Sequence, residues 1–249
     1  MKSHLYSALN LSRLIVAMAV FAITSSVYLL VAVFVIPWKA TRIRLSNRYY
    51  RLVGPVLMSI LGVRLNQIGV PLAKLGPAIF LINHSSNLDT LAVIGCCPIG
   101  STAIGKKEVI FIPFFGQAYF LSGHLRIDRS NRNATIKDLD RLTKFVIKHS
   151  LSIWIAPEGT RSTSGVLGPF KKGFVHLAIQ TGLPVIPVIL HGAFKRMPGK
   201  SLRLSPGEMY LETLKPIETS HWSATTVDDH VCDVRNRYLV ALSGGPVVH

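Results

Sequence analysis

From Leu14 to Ile36 the chain runs 23 residues without a charged side chain. A helix of about 20 apolar residues is long enough to cross the hydrocarbon core of a bilayer, so such a segment must be buried in lipid or in protein. A secretory leader has a shorter apolar region and a small-residue cleavage site, whereas this run ends at Pro37-Trp38-Lys39 and reads as an uncleaved anchor. Lys39, Arg42, Arg44, Arg48 and Arg51 follow it closely, while only Lys2 and Arg13 precede it. The positive-inside bias therefore expects the downstream domain on the cytoplasmic side of a membrane, a bacterial inner membrane being the expected one, with Trp38, Tyr49 and Tyr50 as interfacial aromatics. A second apolar run, Leu52 to Val63, is too short to span and is interrupted by Gly54-Pro55, which suits the interface. The alternative is a hairpin of both segments dipping into one leaflet.

The 249 residues suffice for one domain with a substantial core plus this appendage, divided as residues 1–62 for membrane anchoring and 63–249 for the α/β domain. A formal charge of +16 combined with 49% hydrophobic residues points to a membrane partner. Nucleic acid would also suit the charge, but no aromatic-interleaved, ribonucleoprotein-like or zinc-finger pattern accompanies it. Anionic lipid and phosphorylated substrates explain it more simply, and no nucleic-acid partner is expected. Cys96, Cys97 and Cys232 form neither a disulfide framework nor a zinc-ligand spacing, and are expected to be small buried hydrophobes.

Beyond Arg64, short apolar runs alternate with helical stretches and turn signals, which defines an α/β fold, a single mixed-sheet domain flanked by helices. Strands are expected over Val63–Val70, Ala78–Asn83, Leu125–Asp128, Ser152–Ala156, Val185–Leu190 and Met209–Leu214, several too apolar to have a wet face. Helices are expected over Asp89–Cys97, Asn133–His149, Gly173–Thr181 and Val227–Leu242. Gly182 followed by Pro184 stops the third, and Thr226 with Asp229 has capping-box-like spacing before the fourth.

His84 and Asp89 stand five residues apart after the strand signal Ala78–Ile82. On one continuous helix they would point roughly 140° apart, at about 100° per residue. If His84 ends the strand and Asp89 opens a helix, the carboxylate can return to the imidazole N–H and leave the other nitrogen as a base. An alcohol attacking an acyl carbonyl needs such a base, which is typically worth about 10²- to 10⁴-fold.

Arg129 and Arg161 each follow an apolar strand, and guanidinium groups at strand ends suit bidentate grip of a phosphate. Lys106 or Lys107 can add a third cation. Gly159 allows close backbone approach to a ligand, and Glu158 or Thr160 can bond a glycerol hydroxyl. Gly100–Lys107 looks like a nucleotide-binding loop but carries Lys107 where a hydroxyl should hold Mg²⁺, and Gly-x-Ser-x-Gly is absent.

In this order the clusters resemble the lysophospholipid acyltransferase family, typified by 1-acyl-glycerol-3-phosphate acyltransferases, over about residues 60–215. Asn83-His84 with Ser86 and Asp89 is similar to its first motif, and Gly123 through Ile127-Asp128-Arg129 to its second. Pro157–Ser162 is similar to the third, Leu183–Val188 to the fourth, and Phe170-Lys171-Lys172-Gly173 also fits. The resemblance implies direct acyl transfer from acyl-CoA or acyl carrier protein to a lysophospholipid hydroxyl, most directly 1-acyl-glycerol-3-phosphate giving phosphatidic acid, without metal or acyl-enzyme. It implies His84 as base and Asp89 as its partner, with Arg129, Arg161 and Lys106 on phosphate. Glu158, Gly159 and Thr160 would lie at the glycerol, and Pro187 on the acyl-donor side. Arg126 and Ala156 depart from the family pattern, which places apolar and aromatic residues there. Two other readings are an acyl-enzyme on Cys96, Cys97, Ser85 or Ser86, and a non-catalytic lipid-binding protein.

Overall fold

Ile79-Phe80-Leu81-Ile82 is apolar at every position, so neither face of this strand tolerates water. A computed structural model, describing residues 2–106, 110–111, 115–127 and 132–246, places it at the middle of a seven-stranded sheet. The strands are β1 (Val63–Ile68), β2 (Ile79–Ile82), β3 (Ser101–Lys106), β4 (Leu125–Ile127), β5 (Ser152–Ile155), β6 (Val185–His191) and β7 (Gly207–Thr213). Their order is β1-β7-β6-β2-β5-β3-β4. Neighbours are parallel except β6 and β7, so the sheet is mixed, as expected.

The helices are α1 (Lys2–Val33), α2 (Lys39–Ile60), α3 (Leu88–Cys96), α4 (Phe115–Leu121), α5 (Arg132–His149), α6 (Gly173–Thr181), α7 (Ala193–Arg196) and α8 (Val227–Gly244). Strand alternation divides the core between two layers. Phe80, Ile82, Ile186 and Val188 pack with Leu57, Met58, Leu88 and Ala92 of α2 and α3. Ile79, Leu81, Ile153 and Val185 pack on the other face with Leu142, Phe174, Val234 and Tyr238 of α5, α6 and α8.

The expected stop of α6 is present: Gly182 adopts φ 66°, a left-handed conformation that glycine reaches without a Cβ clash. The expected cap of α8 differs, because the Thr226 hydroxyl bonds the Ser223 carbonyl and the His230 ring instead of a backbone N–H of the first turn. Strand β3 was not anticipated, since Ser101-Thr102-Ala103 is not an apolar run. Its Gly105 sits under Tyr119, whose hydroxyl would lie 2.7 Å from a Cβ there.

The N-terminal region also differs from expectation in detail. Gly54-Pro55 does not interrupt α2, which continues to Ile60. A Cβ at Gly54 would lie 2.9 Å from the Gly95 Cα, so the residue is small because α2 crosses α3 there. Trp38 is exposed, but Tyr50 is buried and Tyr49 stacks on Tyr28 at 4.6 Å, so these two tyrosines join helices rather than face an interface. Ala8–Val33 is long and apolar enough to cross a membrane. Yet α1 lies along the domain: Asn10 Nδ2 donates to Leu204 O at 3.1 Å, and the Tyr28 hydroxyl meets that of Ser122 at 3.0 Å.

Candidate active site

Parallel pairing puts the carboxyl ends of β2, β3, β4, β5 and β6 on one edge of the sheet, the usual ligand edge of α/β folds. Asn83 ends β2 with a clasp to β6, its amide donating to Leu190 O at 3.1 Å while its Oδ1 accepts Leu190 N–H at 2.7 Å. This fixes where His84 leaves the strand. The chain then breaks direction before α3, as the five-residue spacing requires, and His84 Nδ1 meets Asp89 Oδ2 at 2.9 Å. The same oxygen accepts the Ser85 and Ser86 N–H groups at 2.7 Å each. Asp89 Oδ1 is buried without a hydrogen-bond partner among the described residues. A carboxylate accepts from Nδ1–H, which fixes the tautomer and leaves Nε2 with its lone pair.

Every backbone polar group of residues 84–86 is paired, so the loop is held from all sides. His84 N–H donates to Glu158 Oε1 at 2.7 Å, and its carbonyl accepts Ser162 N–H at 2.8 Å. The Ser85 carbonyl accepts Gly199 N–H at 2.9 Å, and that of Ser86 accepts Arg161 Nε at 3.2 Å. The Ser86 hydroxyl donates to Met197 O and accepts Leu88 N–H, so it serves the turn into α3.

Glu158 is brought to His84, but both of its oxygens meet backbone: the second accepts Gly168 N–H at 2.8 Å. Gly159 has φ 74°, and Lys171 covers it, with Nζ 3.0 Å from where a Cβ would stand. Thr160 is exposed, and Arg161 is half-buried over Gly199 on the His84 loop. Lys106 is the last residue of β3, on the same sheet edge; Arg129 lies outside the described residues. Pro187 sits inside β6 opposite Leu81, buried in the sheet, and does not line the cavity at His84. Its carbonyl accepts Leu214 N–H just past the end of the β7 ladder, where a missing donor is tolerated.

A cavity of about 160 Å³ reaches from His84 and Asp89 between α2, α3 and the sheet. Ile82, Val93, Ile94, Ala103, Trp154 and Ala156 give it apolar walls. His124 also lines it; burial and the nearby Lys39 hold this imidazole down at about 4, so it is neutral and accepts from Ala103 N–H at 3.4 Å. Burial pushes the Cys96 thiol up to about 11 and that of Cys97 to about 12. Neither forms an appreciable thiolate near neutrality, unlike a reactive cysteine. Cys232 is exposed on α8, contrary to the expectation that all three are buried.

The sequence pointed to His84, Asp89, Glu158 and Arg161, and the fold brings these four together. It gave no sign that Asn83, Gly168 and Gly199 hold the loop, because the Asn83 side chain and the two glycine N–H groups act on partners distant in sequence. An oriented imidazole beside an apolar cavity on a parallel sheet edge, with the Arg161 guanidinium bonded to the same loop, suits an acyl-group-transfer site. The acyltransferase family profile matches residues 66–191, and the chain belongs to that family. It is 38% identical over 231 residues to the 1-acyl-sn-glycerol-3-phosphate acyltransferase of Limnanthes douglasii, covering 93% of this chain and 82% of that one. It is 36% identical over 161 residues to the enzyme of that name from Escherichia coli, covering 65% of each. The crystal structure of the 1-acyl-sn-glycerophosphate acyltransferase from Thermotoga maritima shares the fold, with a TM-score of 0.80 at 19% identity over the whole of both chains.

Proposed function

We propose that the protein moves a fatty acyl group from a thioester, acyl-CoA or acyl carrier protein, to the free hydroxyl of 1-acyl-glycerol-3-phosphate, giving phosphatidic acid. The observation that carries this is the 2.9 Å contact between His84 Nδ1 and Asp89 Oδ2 in the lining of an apolar cavity, which supports Nε2 as the base. As the hydroxyl oxygen bonds to the thioester carbonyl carbon, Nε2 takes its proton; the tetrahedral adduct expels the thiolate, which recovers that proton from the imidazolium as free thiol. Asp89 holds the ring and stabilises its transient charge. Arg161, with Arg129 and Lys106, binds the phosphate, and Gly159 and Thr160 border the glycerol. The names of the relatives support this acceptor.

Residues 1–62 anchor the protein and residues 63–249 carry the chemistry. Asn10 and Tyr28 both bond the domain, which supports α1 and α2 embedded together in one leaflet. Arg42, Arg44 and Arg48 then favour the cytoplasmic face.

Purified protein offered a mixed pool of lyso-acceptors, with CoA and carrier-protein thioesters supplied separately, should yield phosphatidic acid by mass spectrometry. His84→Ala should abolish the product with the fold intact. Unchanged turnover in that variant would end the general-base assignment, and lipid binding with no thioester consumed would favour a non-catalytic role.

A further inference from the structure

We infer that Glu158 is a positioning residue of the transfer reaction rather than a ligand of the acceptor, and that helix α8 reaches the catalytic loop through it. The inference rests on the acyl-transfer reading above. Glu158 is buried, and each carboxylate oxygen already accepts a backbone N–H, from His84 at 2.7 Å and from Gly168 at 2.8 Å. A buried carboxylate bridging two main-chain donors in this way ties the His84 loop to the Gly168 segment before any acceptor arrives.

The bridge continues. Arg235 of α8 donates from Nε to Gly168 O at 3.1 Å and from a terminal nitrogen to Leu167 O at 3.4 Å, so it fixes the segment whose N–H Glu158 accepts. A Cβ at residue 168 would lie 3.1 Å from Glu158 Oε2, so a side chain there would press on this carboxylate. The same helix supports β2 from beneath, where the buried Tyr238 hydroxyl donates to Leu81 O at 2.7 Å and accepts Val188 N–H. Arg235 and Tyr238 lie beyond the residues matched by the family profile.

The test uses the full chain in detergent. Glu158→Gln keeps size and one acceptor but points an amide donor at one of the two N–H groups. It should lower kcat at least tenfold and leave KM for 1-acyl-glycerol-3-phosphate within twofold. Arg235→Gln should lower kcat about two- to fivefold with KM unchanged, and the double variant should be no worse than Glu158→Gln alone. In protein labelled with ¹⁵N-histidine, the His84 amide proton should move upfield in Glu158→Gln and less far in Arg235→Gln. A tenfold rise in KM with kcat retained would make Glu158 an acceptor ligand and overturn the inference, as would an unmoved His84 amide. The amide shift needs no turnover, so an inactive wild type would sink the acyl-transfer reading while leaving this one decidable.

Discussion

Asp89→Asn separates two ways in which a carboxylate can serve a catalytic histidine. Where the imidazole and the supporting donors meet different oxygens, an amide must turn its NH₂ toward one of them, and the wrong tautomer can cost about 10⁴-fold. Here a single oxygen, Oδ2, takes His84 Nδ1 and the Ser85 and Ser86 N–H groups, while Oδ1 is buried without a partner among the described residues. The carbonyl oxygen of the substituted amide can replace Oδ2 and keep all three donors, with its NH₂ where Oδ1 was. The tautomer survives, and only the charge is lost.

Two unit charges about 4 Å apart attract by ~4 kcal/mol at an effective dielectric near 20. The His84 side chain keeps 19% of its surface in solvent, which weakens the attraction. A loss of about 3 kcal/mol of transition-state stabilisation is the expected result, or roughly 10²-fold in kcat. Leaving the amide NH₂ buried and unpaired should cost ~1–3 kcal/mol of stability, a melting temperature lower by about 2–10 °C. Single-turnover kinetics with labelled thioester, beside a thermal melt in the same detergent, measures both. A kcat within fivefold of wild type would refute the electrostatic role, and a fall of 10⁴ would refute the retained tautomer.

Three further outcomes follow from the packing. Gly54→Ala drives a methyl to 2.9 Å from the Gly95 backbone, so it should cost ~1–3 kcal/mol and lower the melting temperature by several degrees; an unchanged melt would show that α2 does not bear on α3. His124 is held at about 4 in the fold and near 6.5 when unfolded. Its contribution is therefore complete above about pH 6.5 and lost as pH falls toward 4, up to ~3 kcal/mol; His124→Gln should melt with a shallower pH dependence over that window, and an equal slope would refute the assignment. Ala156→Phe fills the mouth of the 160 Å³ cavity with a ring, so donor chain preference should move to shorter acyl groups in competition assays, whereas an unaltered preference would place the acyl chain elsewhere.

Most of the fold was legible because parallel strands buried on both faces are written as unbroken apolar runs. Ile79–Ile82, Ser152–Ile155 and Val185–His191 are of this kind, and each lies within a residue or two of its expected bounds. Strand β3 escaped because its sequence is Ser-Thr-Ala-Ile-Gly-Lys, which carries neither alternation nor an apolar run. What makes it a strand is contact with β5 and β4 on its two sides, and Asn47, whose Oδ1 accepts the Gly100 and Ser101 N–H groups at 2.8 Å. Pro55 misled in the opposite direction, since a proline inside a helix reads as a break. The helix continues because one of its faces is held by packing, with Leu57 and Met58 in the core.

The site divides in the same way between local and distant causes. The relation of His84 to Asp89 is legible because it needs only a strand end, a turn and a helix start within six residues. The relation of Glu158 to His84 is not, because a carboxylate beside Gly159, Thr160 and Arg161 looks the same whether it faces a ligand or a backbone amide. One of its oxygens meets the N–H of Gly168, ten residues later, in a segment that Arg235 of the last helix holds, and no motif marks either residue. Two acidic residues of one site therefore act on one histidine from different sides. Asp89 fixes its ring through the side chain, and Glu158 fixes its main chain. Removing the first should alter the charge felt at the reacting atoms, and removing the second should alter where those atoms stand.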